Sequence, residues 1–254
     1  MSAMTLRLVA LGDSTVEGLE DPGPDGTYVG WADRFATHLS VEHPELTYAN
    51  LAVRGQTARE VRETQLEHAL QLRPDLALLV AGVNDLLRAR LDRSALRENL
   101  RTMYRQVSES GARVLTFTMP DMTRVAPLTI ALRPRIEYLN AVIREARSTY
   151  GIVVVDLAAE PVASHPALWH DDRLHANSEG HRRIAAALAE VVGIDVGDWR
   201  SEPPESAAAG VARMVTGEAL WVAGHLLPWA WGHLRRGPAT GSVCKRPELL
   251  PVAD

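Results

Sequence analysis

Four short stretches of the chain carry the residue types that nucleophilic catalysis needs. Gly12-Asp13-Ser14 interrupts an apolar run, Leu8-Val9-Ala10-Leu11, and leaves a hydroxyl where the run stops. Arg54-Gly55-Gln56 and Gly82-Val83-Asn84-Asp85 follow two further apolar runs, and Asp172-Arg173-Leu174-His175 sets a carboxylate three residues ahead of an imidazole. A serine hydroxyl is a poor nucleophile at neutral pH; it needs a base within hydrogen-bond reach and a third group that orients the base. His175 is the candidate base for Ser14. Asp172 can reach its second ring nitrogen, fix the tautomer and stabilise the imidazolium. Each stretch taken alone has a plainer reading: a strand-to-loop turn at Ser14, a helix cap at Asn84-Asp85, a residue ahead of a helix at His175. Their occurrence together argues for one site.

The elements that must position these residues alternate along the chain. Short apolar runs at residues 8–11, 46–51, 75–80, 113–118 and 152–156 read as strands. The run at 75–80 shows no polar alternation, as in a strand covered on both faces. Between them lie helical patterns. Leu96, Leu100, Met103 and Val107 share one face, with Gly111 as the stop, and Leu132, Ile136, Leu139, Ile143 and Ala146 share another, with Gly151 as the stop. A single helix is expected after Thr57, through about Leu72, and a last one from about Asn177 with Ile184, Leu188 and Val191 inward. This alternation predicts a parallel sheet with helices on both faces, a three-layer α/β/α sandwich. The four stretches then fall at or beyond the carboxyl ends of strands one, two, three and five, where open sheets of this class bind ligands.

Residues 1–198 are expected to form one main domain. From Trp199 the character changes: a linker at Ser201-Glu202-Pro203-Pro204, one further helix over about 207–227, tryptophans at 221, 229 and 231, and a frayed end or arm from Arg246 to Asp254. We read 199–254 as a C-terminal extension. Packing against the main domain is favoured over a partner or homodimer surface, and both over membrane contact.

Composition narrows the partners. A chain of 254 residues with 46% hydrophobic and 23% charged residues is that of an ordinary globular protein. A net charge of −5 gives no expectation of nucleic acid. The single cysteine, Cys244, excludes disulfide frameworks and cysteine metal sites. His165, His170, His175 and His181 lack the helical spacing of a metalloprotease, so no metal is expected. Gly12 to Gly18 has neither the three-glycine dinucleotide pattern nor a phosphate-loop lysine, so no cofactor is expected. The N-terminus shows no basic, apolar and small-residue signal succession, and no stretch has the ~20 apolar residues of a membrane helix. A cytoplasmic location is expected.

Taken together, the four stretches resemble the SGNH hydrolases, also called the GDSL esterase family, whose Ser, Gly, Asn and His lie in four separate blocks. The resemblance covers most of residues 6–192 in order, spacing and position relative to strands. Thr15 replaces the leucine of the literal tag. It implies a flavodoxin-like five-stranded parallel sheet of order 2-1-3-4-5, with Ser14 as nucleophile and His175 as base. Asp172 fits the family's Asp-x-x-His spacing, whereas the adjacent Asp171 is one residue off. The backbone N–H groups of Ser14 and Gly55 and the side-chain amide of Asn84 would form the oxyanion hole. The implied activity is hydrolysis of a small-molecule carboxylic ester without a cofactor. Acyl transfer by the same triad and a non-catalytic binding module are the alternatives. Trp31, Arg54 and the segments 119–134 and 157–169 are expected around the pocket, and the acyl and alcohol parts of the substrate stay open.

Overall fold

The computed structural model describes residues 5–24, 26–203 and 244–252. Its centre is a six-stranded sheet in the order β5-β4-β3-β1-β2-β6. The strands are β1 (Arg7–Gly12), β2 (Thr47–Asn50), β3 (Leu76–Val80), β4 (Arg113–Phe117), β5 (Val153–Val155) and β6 (Arg246–Pro251). The first five are parallel and keep the expected order 2-1-3-4-5.

The apolar runs lack polar alternation because both faces of the sheet are covered. In β1, Leu8 and Ala10 enter one core while Val9 and Leu11 enter the other; in β3, Leu76, Leu78 and Val80 oppose Ala77 and Leu79 in the same way. The first core is closed by α2 (Gly30–Glu42) and α8 (Ser178–Val191), which contribute Trp31, Phe35, Leu39, Ala185 and Leu188. The second is closed by α3 (Ala58–Thr64), α4 (Leu66–Gln71), α6 (Arg93–Glu109) and α7 (Arg133–Tyr150), through Val61, Ala69, Leu100, Met103, Leu139 and Ile143. Helix ends follow local chemistry. Thr57 and Glu60 form a capping box on α3, Asp92 and Asn177 cap α6 and α8, and Gly151 closes α7 in the left-handed region at φ 68°.

Two expectations are corrected. The sheet has six strands, not five, because Arg246–Pro251 pairs antiparallel with β2, Tyr48 opposite Leu250, instead of fraying. Pro247 and Pro251 cannot donate to a ladder, and an edge strand is where a sheet tolerates them. Lys245 anchors the strand: its Nζ donates to Val29 O at 2.7 Å and Glu17 O at 3.2 Å and lies 2.7 Å from Asp33 Oδ2. The single helix expected through Leu72 is two, α3 and α4, divided at Gln65. The helix expected over 207–227 and the tryptophans at 221, 229 and 231 lie outside the described residues. Among the described residues no helix is long and apolar enough to cross a membrane.

His181 joins α8 to the segment that follows Ser14. Its Nδ1 accepts from the Trp31 N–H at 3.1 Å and its Nε2 donates to Leu19 O at 3.0 Å, with 1% of the residue exposed. That arrangement needs the neutral ring, and burial pushes its pKa down to about 4. An unfolded histidine titrates near ~6.5, so between the two values the unfolded chain binds the additional proton and stability falls as pH falls. Urea unfolding of the wild type at pH 7 and pH 5 is expected to reveal a loss of about 2 kcal/mol from this group. In His181→Gln that part of the pH dependence disappears, whatever the variant's stability at pH 7; an identical pH slope in both proteins contradicts the assignment.

Candidate active site

β1 delivers the chain to a turn that only glycine can make. A Cβ on Gly12 would lie 2.3 Å from Val80 O and 2.4 Å from Val16 Cγ2. Asp13 then caps the short helix α1 (Ser14–Glu17), its carboxylate accepting from Thr15 N at 3.0 Å. Ser14 is therefore the first residue of a helix, a position whose backbone N–H has no partner inside the helix. Its hydroxyl lies 2.9 Å from His175 Nε2.

The loop carrying His175 is closed on itself. His170 N donates to His175 O at 2.9 Å, Arg173 N donates to His170 O at 2.8 Å, and Trp169 bridges to Ala176. Arg173 takes a positive φ of 56°, which turns the chain between the aspartate and the histidine. Asp172 Oδ2 lies 2.6 Å from His175 Nδ1, while Oδ1 accepts from the backbone N–H groups of Leu174 at 2.9 Å and His175 at 3.0 Å. Burial alone would push the Asp172 carboxyl up. The hydrogen bond and charge of His175, together with those two N–H groups, outweigh it and hold the group at about 2. Ser14, His175 and Asp172 thus form one continuous hydrogen-bonded chain, and Asp172, on the expected spacing, is the aspartate at His175 Nδ1.

The other two expected residues lie beside it. Asn84, in the short helix α5 (Val83–Leu86), donates its two amide hydrogens to Asp13 Oδ2 and to Gln56 O, each at 3.0 Å. One side chain thereby ties the first, second and third strand ends together. Gly55 sits in the turn immediately before Gln56, with a φ of 80° that favours glycine and free space where a side chain would project.

Other residues support these, of which Gln65 and Glu17 carried no signal in the sequence. Gln65 divides α3 from α4 because its side chain turns inward: Oε1 accepts from Gly12 N at 2.9 Å, and Nε2 donates to Gly12 O at 2.8 Å and Gln56 Oε1 at 2.6 Å. Glu17, one turn after Ser14, accepts from the Arg54 backbone N–H at 3.0 Å and pairs with its guanidinium. Asp85 accepts from Ala58 N at 2.8 Å, and burial pushes its carboxyl up to about 6. A polar side chain with inward bonds to backbone looks the same in a sequence as one facing water.

A cavity of about 380 Å³ opens beside Thr15 and His175 and is walled by residues from both expected segments, among them Met119, Leu132, Leu157 and Trp169. Trp31, expected at the pocket, instead lies in the core edge-on to Phe117, with ring centroids 5.3 Å apart. Arg54, likewise expected there, is held by Glu17 and stacked over Tyr28. Glu20, His170 and Asp172 bring metal-type donors within 4.8 Å of one another. His170 Nε2 is 3.3 Å from Glu20. The Asp172 oxygens are already committed to His175 and two backbone N–H groups.

Residues 10–183 match the GDSL-like Lipase/Acylhydrolase family. The chain belongs to that family. Membership makes it an ester-hydrolysing serine hydrolase, and the fold agrees with solved structures. It is similar to Axe2, an acetylxylan esterase from Geobacillus stearothermophilus, with a TM-score of 0.63 at 18% identity over 78% of this chain and 97% of that one. LAE5, an alpha/beta hydrolase enzyme from the metagenome of Lake Arreo in Spain, gives 0.63 at 21% identity over 76% and 97%. TesA gives 0.60 at 23% identity over 74% and 98%. Among curated proteins no sequence matches significantly.

In this GDSL-like acylhydrolase, Gln65 satisfies both backbone groups of the residue on which the serine turn pivots. Gln65→Leu leaves the Gly12 N–H buried without its acceptor, at ~1–3 kcal/mol, and removes one of the two donors to the Gly12 carbonyl, which keeps the Val53 N–H at 3.2 Å. A loss of about 1–3 kcal/mol in chemical denaturation is expected, against within about 0.5 kcal/mol for Gln71→Leu at the exposed end of α4. Equal, small effects from both substitutions contradict the bracing role.

Proposed function

We propose that this protein hydrolyses a carboxylic ester through an acyl-enzyme on Ser14, and the observation that carries the reading is the unbroken hydrogen-bonded line Ser14 Oγ, His175 Nε2, His175 Nδ1, Asp172 Oδ2. Ser14 Oγ attacks the acyl carbon while His175 Nε2 takes its proton. The tetrahedral intermediate collapses, the ester C–O bond breaks, and the leaving alkoxide receives that proton. Water then attacks the acyl-enzyme by the reverse sequence, with His175 again as base, and releases the acid and free Ser14. Asp172 holds the imidazole in the tautomer that leaves Nε2 facing the serine and stabilises the imidazolium, without becoming protonated itself.

The oxyanion would be met by the N–H of Ser14 at the start of α1, the N–H of Gly55 and the Asn84 amide. In the resting protein Asn84 donates one hydrogen to Gln56 O and one to Asp13 Oδ2, so an oxyanion would be taken up by sharing or displacing one of these acceptors. Glu17 holds the Arg54 backbone N–H, and with it the turn that carries Gly55, against α1. No step uses a cofactor.

A fluorophosphonate is expected to label the wild type at Ser14 and to leave Ser14→Ala unlabelled. With a chromogenic ester, Ser14→Ala lowers kcat by about 10⁴-fold or more, and Asn84→Ala by about 10²–10³-fold through loss of one oxyanion donor. Equal, mild losses in the two variants contradict the assignment, as does a folded wild type that does not label.

A further inference from the structure

We propose that the cavity beside His175 is a chamber for an aliphatic acyl chain, and that the substrate is an ester of a straight-chain acid of medium length in place of an acetyl ester. This rests on the serine-esterase reading above and adds to it which half of the ester confers selectivity.

Three observations point the same way. The cavity, about 380 Å³, is equivalent to about a dozen waters at ~30 Å³ each. An acetyl methyl would fill a small fraction and leave the rest of the apolar wall wet. That wall is built from Leu86, Leu132, Ile136, Leu157, Val162 and Ile184, together with further apolar side chains from the 119–132 and 157–169 segments. Side chains of this kind offer dispersion and water exclusion and no hydrogen bonds.

Several of the polar side chains that reach the cavity are turned to partners within the protein. His181 bonds Leu19 O and Trp31 N. Arg183 donates to Glu179 Oε1 at 2.7 Å and Trp199 O at 2.9 Å, and Asp172 is held by His175. A sugar placed here would set most of its hydroxyls against apolar wall, a cost of ~1–3 kcal/mol for each one buried unpaired. Methylenes carry no such cost. The chamber begins at His175 and at Thr15, the neighbour of Ser14, so a chain lying in it has its carboxyl end at the nucleophile.

The test is a series of p-nitrophenyl esters from acetate through butyrate and octanoate to palmitate, with the full-length protein. Each buried methylene raises kcat/KM by up to about fourfold, so the expected rise from acetate to octanoate is about 10²-fold or more. Ala163→Phe narrows the chamber and is expected to lower the ratio of octanoate to acetate kcat/KM about tenfold or more. Leu132→Phe, in a different wall segment, does the same if the first variant does not fold. A protein that labels with fluorophosphonate at Ser14 and prefers acetate, or whose ratio is unchanged in the folded variants, overturns the chamber and leaves the esterase reading standing. A folded protein that neither labels nor cleaves any ester in the series overturns both.

Discussion

The hydrogen bond from Ser14 to His175 joins residues 161 positions apart, and it is useful only if both ends are held to within a few tenths of an ångström. At the serine end, β1 is fixed between β2 and β3, Gly12 is gripped on both backbone groups by Gln65, and Asp13 caps the helix that starts at Ser14. At the histidine end, Asn177 both caps α8 and donates to Ala167 O at 2.8 Å, which closes the loop that presents the imidazole. The two ends are then joined a second time. His181, in the first turn of α8 beyond the His175 loop, bonds the carbonyl of Leu19 and the N–H of Trp31, the segment leading away from Ser14. The packing of α2 on α8 over the first core supplies the free energy for that closure, and the site inherits its rigidity.

Three aspartates near the site are pushed in different directions by their surroundings. Burial raises Asp13 and takes Asp85 to about 6, while Asp172 is held at about 2 by His175 and two backbone N–H groups against the effect of its own burial. The carboxylate that carries its charge most readily is therefore the one that touches the imidazole. Asp13 and Asp85 serve as acceptors for Asn84, Thr15 and Ala58, binding the strand ends to one another. Divergent environments for neighbouring carboxyls are how a site assigns them separate tasks.

Much of this was legible in the sequence because it depends on residue type at fixed spacing. The runs at 8–11 and 75–80 are apolar throughout since both cores need them, and Asp172 precedes His175 by the three residues that let one carboxylate bond the ring and the backbone of the same loop. What escaped was set by partners far away in the chain. Gln65 divides a helix that periodicity alone would continue, because its side chain is needed at Gly12. The strand Arg246–Pro251 has two prolines and no apolar alternation, and it exists through pairing with β2 and the anchoring of Lys245. Trp31 looks like a pocket aromatic by its position after a Gly- and Pro-rich loop, yet its backbone N–H is needed by His181 and its ring fills the first core.

Everything at this site follows from Asp172, His175 and Ser14 forming one hydrogen-bonded line in the resting protein, and proton NMR of the His175 ring reads that line without any substrate. A far-downfield Nδ1–H resonance is expected in the wild type, retained in Ser14→Ala and lost in both Asp172→Asn and His175→Gln while the proteins remain folded. A wild type with no such resonance, or a signal that persists unchanged in Asp172→Asn, would contradict the line.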